Sequence, residues 1–199
     1  MARVLLSGFE PFGSFKRNPS WDALKLAEKR GLLPAGVKLA QIPVTYAQAY
    51  EALAGAATEF NPDVIVCFGV HGSRESQTLY LERVARNRNE NTADNAGMAM
   101  AGPIVAGAPA EIRSAYPIED LHDPLLGAGF AVEFSDNAGG YLCNHLYFRA
   151  CHGFKFPVAF VHVPPVEGEG LMTLERLAQA IAIVAQHATF LGSLKRKQA

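Results

Sequence analysis

The feature that most constrains the fold is a regular alternation between short apolar runs and longer segments with helical spacing. The clearest run, Val64-Ile65-Val66-Cys67-Phe68, is continuously apolar and stops at Gly69, which is typical of a parallel strand buried on both faces. Strands that alternate with helices predict an α/β protein, a three-layer α/β/α sandwich with a mostly parallel central sheet. The predicted strands are 3–7, 38–42, 64–68, 78–85, 131–135 and 158–163, and the predicted helices include 20–29, 47–60 and 174–191.

The composition gives little reason to expect a charged macromolecular partner. The chain has 199 residues, and since a domain takes about 150 residues, we expect one domain that spans the whole of 1–199. Lys and Arg number 18 against 19 Asp and Glu, so nucleic acid and anionic membranes would find no electrostatic attraction. We also expect no stretch that approaches the roughly 18 apolar residues needed to cross a bilayer. The composition therefore favours a protein that acts on small molecules, without nucleic-acid or membrane partners.

Three cysteines, Cys67, Cys143 and Cys151, bear on the compartment. An odd and sparse set is not a disulfide framework, and no Cys-x-x-Cys pair indicates a zinc site. Glu10 interrupts the N-terminal apolar run too early for a signal peptide. We therefore expect a cytoplasmic protein whose thiols stay reduced.

Cys143 is the cysteine with a potential for chemistry. In the segment 135–147, small and capping residues precede an apolar periodic stretch, so Cys143 is predicted to lie in the first turn of a helix. Exposed backbone N–H groups and the positive end of the helix dipole stabilise a thiolate at such a position. The alternative is a small buried hydrophobic side chain, the usual role of free cysteine. Cys67, inside an apolar run, and Cys151, near the helix end, are predicted to be structural.

A general base for this thiol would be an imidazole on a rigid element, and His162 lies at the end of an apolar strand. A buried histidine with satisfied hydrogen bonds is the alternative. His145 and His152 share the predicted helix of Cys143, but they lie on another side of it or too far along it. His71, in the loop after a strand, is a further rival that geometry leaves open.

Glu82 supplies a carboxylate within a strand-like run. A carboxylate that accepts the second ring N–H of a catalytic histidine would fix its tautomer and stabilise the imidazolium. A strand-edge salt bridge between Glu82 and Arg83 or Arg86 is the alternative.

Two loop segments are candidates for ligand binding. Phe9 and Phe12 belong to a Gly- and Pro-rich segment after the first strand, which lacks the spacing of a dinucleotide fingerprint or a P-loop. The two rings could pack under the loop or sandwich a flat ligand ring. The polar segment 86–107 has no clear periodicity, and we expect a long loop that lines or covers a site.

Three motifs follow one another along the chain: Gly8-Phe9-Glu10-Pro11-Phe12-Gly13 with Asn18-Pro19-Ser20, Ala138-Gly139-Gly140-Tyr141-Leu142-Cys143-Asn144, and His162-Val163-Pro164. With these motifs the chain resembles, over essentially its whole length, the pyroglutamyl-peptidase I family of cysteine exopeptidases, the pyrrolidone-carboxylate peptidases. The resemblance implies hydrolysis of the amide bond after an N-terminal pyroglutamyl (5-oxoprolyl) residue of a peptide, through a thioester. Carried over by position, it implies that Cys143 is the nucleophile, His162 the base and Glu82 the orienting acid.

The same resemblance implies how the substrate is held. Phe9 and Phe12 would flank the lactam ring, and Asn18 would help to shape the pocket. The resemblance also implies an α/β/α fold, no metal or cofactor, and a homo-oligomer, either a tetramer or a dimer.

Two departures from the family pattern affect the site. The segment from Gly69 to Glu82 is slightly longer than usual, which makes Glu75 a further candidate. Asn91-Thr92 stands where bacterial members often have an arginine that is thought to stabilise the oxyanion. Arg86, Arg88 or backbone N–H groups near the nucleophile would have to serve instead.

Two alternative functions stay open on the sequence. The longer loop motivates another thiol-dependent acyl amide hydrolase on the same fold. A non-catalytic 5-oxoproline-binding protein is the second alternative, and the intact cysteine, histidine and glutamate argue against it.

Overall fold

The computed structural model shows a central sheet flanked by helices and describes residues 1–13, 16–72, 77–166 and 172–198. The elements, in chain order, are β1 (Val4–Phe9), α1 (Pro19–Lys29), β2 (Val37–Ile42), α2 (Ala49–Phe60), β3 (Val64–Val70), β4 (Leu79–Glu82), β5 (Val84–Arg86), β6 (Asn89–Ala93), β7 (Ala99–Gly102), β8 (Glu111–Arg113), a 3-10 turn (Ile118–Leu121), α3 (His122–Gly127), β9 (Val132–Ser135), α4 (Leu142–Gly153), β10 (Val158–Val163) and α5 (Leu174–Gln198). The main sheet has six strands in the order β2-β1-β3-β10-β4-β9. Its neighbouring pairs are parallel except for β10 and β4.

Helices cover both faces of this sheet. On one face, α1, α3 and α5 bury a core that includes Leu24 and Val184. On the other face, α2 and α4 pack around Cys67 and Phe160. Each strand contributes alternate side chains to the two cores, which explains why the central strands read as continuous apolar runs. The predicted α/β fold, a single-domain three-layer sandwich with a mostly parallel sheet, is confirmed.

The strand predicted over 78–85 is wrong as a single element. The main sheet contains β4, while β5 pairs antiparallel with β8 in a separate two-stranded sheet. Arg83 lies between them: its N–H donates to the Ser135 carbonyl oxygen at 2.7 Å, and its own carbonyl accepts from the Ser114 N–H at 3.0 Å. Because these partners lie in different parts of the fold, the chain changes sheets at this residue.

Helix α1 starts earlier than predicted. Its N-cap is Asn18, in an extended conformation at φ −127°, and the Oδ1 of Asn18 accepts the N–H of Ser20 at 3.1 Å. Pro19 occupies the first helical position, where its missing N–H costs nothing, so α1 begins before the predicted range of 20–29. A Cβ on Gly8 would lie 2.9 Å from the backbone of Ser20, so β1 passes the start of α1 at a distance that requires glycine.

The segment 86–107 contains a hairpin, β6–β7, and is not the featureless loop that we expected. After Asn89 the residues of β6 are exposed, so no apolar alternation reveals the strand. The Tyr141 hydroxyl donates to the carbonyl oxygen of Ala93 on β6 at 3.2 Å. The hairpin therefore supports the turn that leads into α4.

Helix α5 is long and apolar enough to cross a membrane by length and composition, although we expected no such segment. Within the described residues, the helical stretch Leu174–Lys197 contains an 18-residue window with a mean hydropathy of 1.4, so it could span a bilayer by length and composition alone. Half of the tested window is buried inside the fold, and Leu177 and Ile181 are among its fully buried side chains on the sheet. The apolar character of α5 is accounted for by its packing in the core.

Candidate active site

Four residues of neighbouring strands form what we call the cross-sheet row: Phe9 on β1, Gly69 on β3, His162 on β10 and Tyr80 on β4. His162 is paired with both Gly69 and Tyr80 in the register of the sheet, and Phe9 lies level with Gly69 because the residues before them are paired. Phe9 packs in the core on the α2 and α4 side. The row lies on that face of the sheet, because side chains alternate along each strand.

The sulfur of Cys143 lies over the middle of this row. Cys143 is the second residue of α4 and thus in its first turn, as predicted. A Cβ built on Gly69 would lie 2.7 Å from the Cys143 Sγ and 2.9 Å from the Cζ of Phe160. Glycine at this position on β3 is therefore what allows the sulfur to approach the sheet.

His162 is held between a carboxylate and this sulfur. Its Nδ1 lies 2.7 Å from the Oε1 of Glu82, and both side chains are buried. A carboxylate can only accept here, so Nδ1 carries the proton and Nε2 is left for the other side of the ring. The Cys143 side chain is a further hydrogen-bond partner of the ring.

The charge state of His162 follows from these neighbours. Burial alone would lower the pKa of the ring, but the charge of Cys143, the hydrogen bond to it and the Glu82 carboxylate outweigh burial and raise the pKa to about 9. An imidazolium is therefore stable at neutral pH between the Glu82 carboxylate and the Cys143 sulfur. This arrangement can activate a sulfur and can also deliver a proton.

All six residues selected from the sequence line one cavity of about 480 Å³. They are Phe9, Phe12, Asn18, Glu82, Cys143 and His162. The lining is mainly apolar, and the volume falls within the range of about 300–1,000 Å³ that is usual for small-molecule sites. The structure thus brings together residues that are far apart in the sequence.

The aromatic end of the cavity is built by the segment that follows β1. Phe9 is the last residue of β1 and is buried, whereas Phe12 is half-buried. Asn18 holds this segment: its Nδ2 donates to the Glu10 carbonyl oxygen at 2.9 Å, while its Oδ1 accepts from the N–H and the hydroxyl of Ser20. Asn18 therefore shapes the pocket by tying the loop to the start of α1.

Two rival histidines on α4 lie away from the cavity. His145 is buried, and its Nδ1 lies 3.1 Å from the Oδ1 of Asn89. Burial, together with the nearby Arg149 charge, lowers the pKa of His145 to about 4. His152 stacks on Phe148 with ring centroids 6.1 Å apart. Neither ring is among the described residues that line the cavity.

His71, the third rival, does line the cavity. Its Nε2 lies 3.1 Å from the Thr78 carbonyl oxygen and must donate to it. Burial is the largest influence on this ring and lowers its pKa, so His71 is neutral at pH 7. Its ring meets that of Tyr80 edge to face, with centroids 5.1 Å apart and an interplanar angle of 79°.

The candidate oxyanion arginines do not reach the cavity. No residue of 86–107 is among its lining residues, so of the expectation that this segment lines or covers the site, the lining is wrong. The segment instead contacts residues beside the cavity, since the Nδ2 of Asn95 donates to the Pro11 carbonyl oxygen at 3.0 Å. Arg88 is exposed and lies 3.8 Å from Glu90, and Arg86 is exposed at the end of β5. Glu75 lies outside the described residues. Within the described part of the chain, no group of three His, Cys, Asp or Glu side chains could hold a metal ion.

Sequence reasoning did not select Tyr80 or Tyr141, which also line the cavity, and it assigned no role to Gly69, which lies against the Cys143 sulfur. A glycine that ends an apolar strand is a visible signal for Gly69, since such ends meet at the ligand-binding edge of an α/β sheet. The contribution of Tyr80 depends on the antiparallel pairing of β4, which has no comparable signal in the sequence.

Comparison with known proteins agrees with the resemblance. A family model described as pyroglutamyl peptidase matches residues 2–183. A pyrrolidone-carboxylate peptidase of Clavibacter michiganensis is 34% identical over 198 residues, covering 94% of this chain and 92% of the relative. One from Gloeobacter violaceus is 37% identical over 169 residues, covering 81% of each. The crystal structure of pyroglutamyl peptidase I from Bacillus amyloliquefaciens matches with a TM-score of 0.87 at 28% identity, covering 96% of this chain and 98% of the other.

The fold and these matches define an enzyme of the hydrolase class, a cysteine-type peptidase. More narrowly, the chain belongs to the pyroglutamyl peptidase family, since the family model covers most of its length and the relatives exceed 30% identity.

Proposed function

We propose that this chain removes an N-terminal 5-oxoproline residue from peptides, with Cys143 as nucleophile, His162 as general base and acid, and Glu82 as the group that orients His162. The observation that carries the proposal is the buried Nδ1–Oε1 contact of 2.7 Å beside a sulfur at the start of a helix. The names of its relatives, pyrrolidone-carboxylate peptidases, support the choice of substrate.

In the proposed mechanism, the proton of the Cys143 thiol already lies on Nε2 of His162 in the free enzyme, which agrees with the raised pKa of that ring. The sulfur bonds to the carbonyl carbon of 5-oxoproline. The carbon–nitrogen bond then breaks, and His162 gives its Nε2 proton to the leaving amine. Water attacks the resulting thioester while Nε2 of His162 takes one of its protons. The carbon–sulfur bond breaks, 5-oxoproline leaves, and the sulfur and the imidazolium of the free enzyme are restored. Glu82 stays ionised throughout and stabilises the imidazolium.

The oxyanion of the tetrahedral intermediate would be stabilised by backbone N–H groups in the first turn of α4. The first N–H groups of a helix have no partner within the helix, and Cys143 belongs to that turn. Such donors are typically worth about 2.7–4 kcal/mol of barrier each. This assignment replaces the arginine that the family pattern would provide.

The lactam ring would lie against the Phe9 and Phe12 rings. The ring is flat and uncharged, so apolar contact supplies affinity, while hydrogen bonds to its C=O and N–H supply selectivity. A site built for those hydrogen bonds would leave polar groups unpaired with proline, which lacks the ring oxygen. Asn18 supports this end of the cavity by holding the loop that carries Phe12.

The surroundings of the enzyme are part of the proposal. Cys67, Cys143 and Cys151 are free cysteines, which suits a reducing compartment, and we place the enzyme in the cytoplasm. We also propose a homo-oligomer, a tetramer or a dimer, acting on free N-terminally pyroglutamylated peptides. Light scattering coupled to size-exclusion chromatography should give four times or twice the mass of the chain, and a monomer would contradict this assignment.

Release of a coumarin amine from its pyroglutamyl amide tests the proposal. Cys143→Ser and His162→Ala should abolish turnover with an unchanged circular dichroism spectrum. Cys151→Ser is the matched control, because this thiol lies on the same helix outside the cavity, and it should retain turnover. Iodoacetamide should inactivate the wild-type enzyme.

The same assay with prolyl and glutaminyl amides separates 5-oxoproline recognition from another thiol-dependent acyl hydrolase. Faster turnover of either amide than of the pyroglutamyl amide would reject the proposed specificity. Retained activity in Cys143→Ser would reject the nucleophile, and loss in His71→Ala with retention in His162→Ala would reject the base.

A further inference from the structure

We propose that the cavity contains a second compartment, which binds the residue after 5-oxoproline and favours an aromatic side chain there. We call it the leaving-residue subsite and define it by His71, Gly72 and Tyr80, all of which line the cavity. The inference rests on the proposed peptidase function and extends it to the class of peptide that is cleaved.

The order of strands gives the direction of the bound peptide. The sulfur of Cys143 lies over Gly69 on β3. Phe9 is on β1, to one side of β3, whereas Tyr80 is on β4, beyond β10 on the other side. An amide bond at the sulfur, with 5-oxoproline on the Phe9 side, therefore directs the next residue along the cross-sheet row toward Tyr80.

The subsite is built from two aromatic rings that already contact each other. His71 and Tyr80 meet edge to face, with centroids 5.1 Å apart, and both are half-buried. Because burial lowers the pKa of His71, the ring is uncharged when a peptide arrives at neutral pH. The pair thus offers ring faces and edges to a substrate side chain, and the imidazole brings no positive charge to the subsite.

Space for a further ring lies beside this pair. Among the described residues, no atom lies within 4 Å of a Cβ built on Gly72, so the described surroundings of His71 leave room for a substrate side chain. Aromatic rings gain interaction free energy from offset-stacked and edge-to-face contacts, in addition to what the buried area provides. A saturated ring of the same size lacks this additional free energy. The expected preference is therefore for aromatic over saturated side chains of equal size.

The test uses pyroglutamyl-X amides in which X is phenylalanine, cyclohexylalanine or alanine, with kcat/KM measured for each from the released amine. The wild-type enzyme should favour phenylalanine over cyclohexylalanine by about twofold to tenfold. Tyr80→Ala and His71→Ala should each bring this ratio close to one, while Tyr80→Phe should keep it. Phe134→Ala is the matched control: it removes an exposed aromatic ring from neighbouring β9, outside the cavity, and should leave the ratio unchanged.

Equal kcat/KM values for phenylalanine and cyclohexylalanine in the wild-type enzyme would overturn the subsite, as would an unchanged ratio in both alanine variants. Should Tyr80→Ala fail to fold, the wild-type ratio and His71→Ala still decide the matter. Cleavage of none of the three amides would instead refute the proposed peptidase function, on which the subsite depends.

Discussion

Replacing Gly69 by alanine tests the geometry of the site without touching a catalytic side chain. The added Cβ would lie 2.7 Å from the Cys143 Sγ and 2.9 Å from the Phe160 Cζ, whereas nonbonded heavy atoms prefer about 3.5–4.0 Å. The Phe160 ring is fully buried, and β3 is hydrogen-bonded to a strand on each side. Since neither can easily retreat, the sulfur has to move by roughly 1 Å.

The size of the effect follows from that displacement. A reacting atom misplaced by about 1 Å can lose roughly 10²-fold in rate, which corresponds to roughly 3 kcal/mol of barrier. Overpacking a well-filled core also costs typically about 1–3 kcal/mol of stability. We therefore expect Gly69→Ala to lower kcat/KM about 100-fold and to lower the urea midpoint, while the protein stays folded.

The assay is release of coumarin from its pyroglutamyl amide, alongside the rate of iodoacetamide alkylation and the urea midpoint of each variant. Gly55→Ala on α2 is the matched control, because a Cβ there meets no atom within 4 Å in the part of the chain that the structure describes, and alanine suits a helix better than glycine. It should keep full activity and gain slightly in stability. Wild-type kcat/KM in Gly69→Ala would refute the reasoning, since the sulfur could not then lie against β3 as described.

Three further predictions concern charge and the pocket loop. The folded-state pKa of His162 is raised from 6.5 to about 9. Its protonation therefore contributes stability in full below pH 6.5, and this contribution is lost as the pH rises through 9. The urea midpoint of the wild-type enzyme should fall between these two pH values, and that of His162→Gln should change less. Glu82→Gln removes one of the anions that raise this pKa, so the loss of stability should be smaller and should be complete at a lower pH. The kcat should fall with KM nearly unchanged, and an unaltered pH profile would contradict the role of Glu82. Asn18→Ala removes the N-cap of α1 and the hydrogen bond to the Glu10 carbonyl oxygen. The free energy of unfolding in urea should fall by about 1–2 kcal/mol, and KM should rise. A stability equal to that of the wild type would contradict the capping role.

Much of the architecture could be predicted because the buried strands are long apolar runs that end in glycine or proline. The run that ends at Gly69 and the run that ends before Pro164 both form central parallel strands. The break at Arg83 could not be predicted, since it depends on backbone hydrogen bonds to Ser135 and Ser114, which are remote in sequence. The β6–β7 hairpin was equally hidden, because most of its side chains are exposed.

The site residues were accessible to sequence reasoning for a different reason. Cys143 and His162 each follow a local rule, a cysteine in the first turn of a helix and a histidine at the end of a strand. Their meeting over Gly69 depends on β10 being the neighbour of β3, which local patterns do not specify. The motif resemblance implied that the two side chains meet, and the strand order indicates on which side of the sulfur each part of the proposed substrate would lie.

The antiparallel direction of β4 explains how one strand contributes both to the proposed catalytic histidine, His162, and to the proposed subsite. Because β4 runs against β10, it enters at the cavity edge, and Tyr80 pairs with His162 while Glu82 pairs with the deeper Phe160. Both side chains face the same side of the sheet, since they are two residues apart. Glu82 is therefore buried, and its carboxylate reaches diagonally back to Nδ1 of His162 at 2.7 Å, whereas Tyr80 stays half-exposed beside the same ring. A parallel strand in this position would exchange the places of Tyr80 and Glu82. The carboxylate would then lie at the open edge of the cavity, where water competes for it and weakens its hydrogen bond to the imidazole.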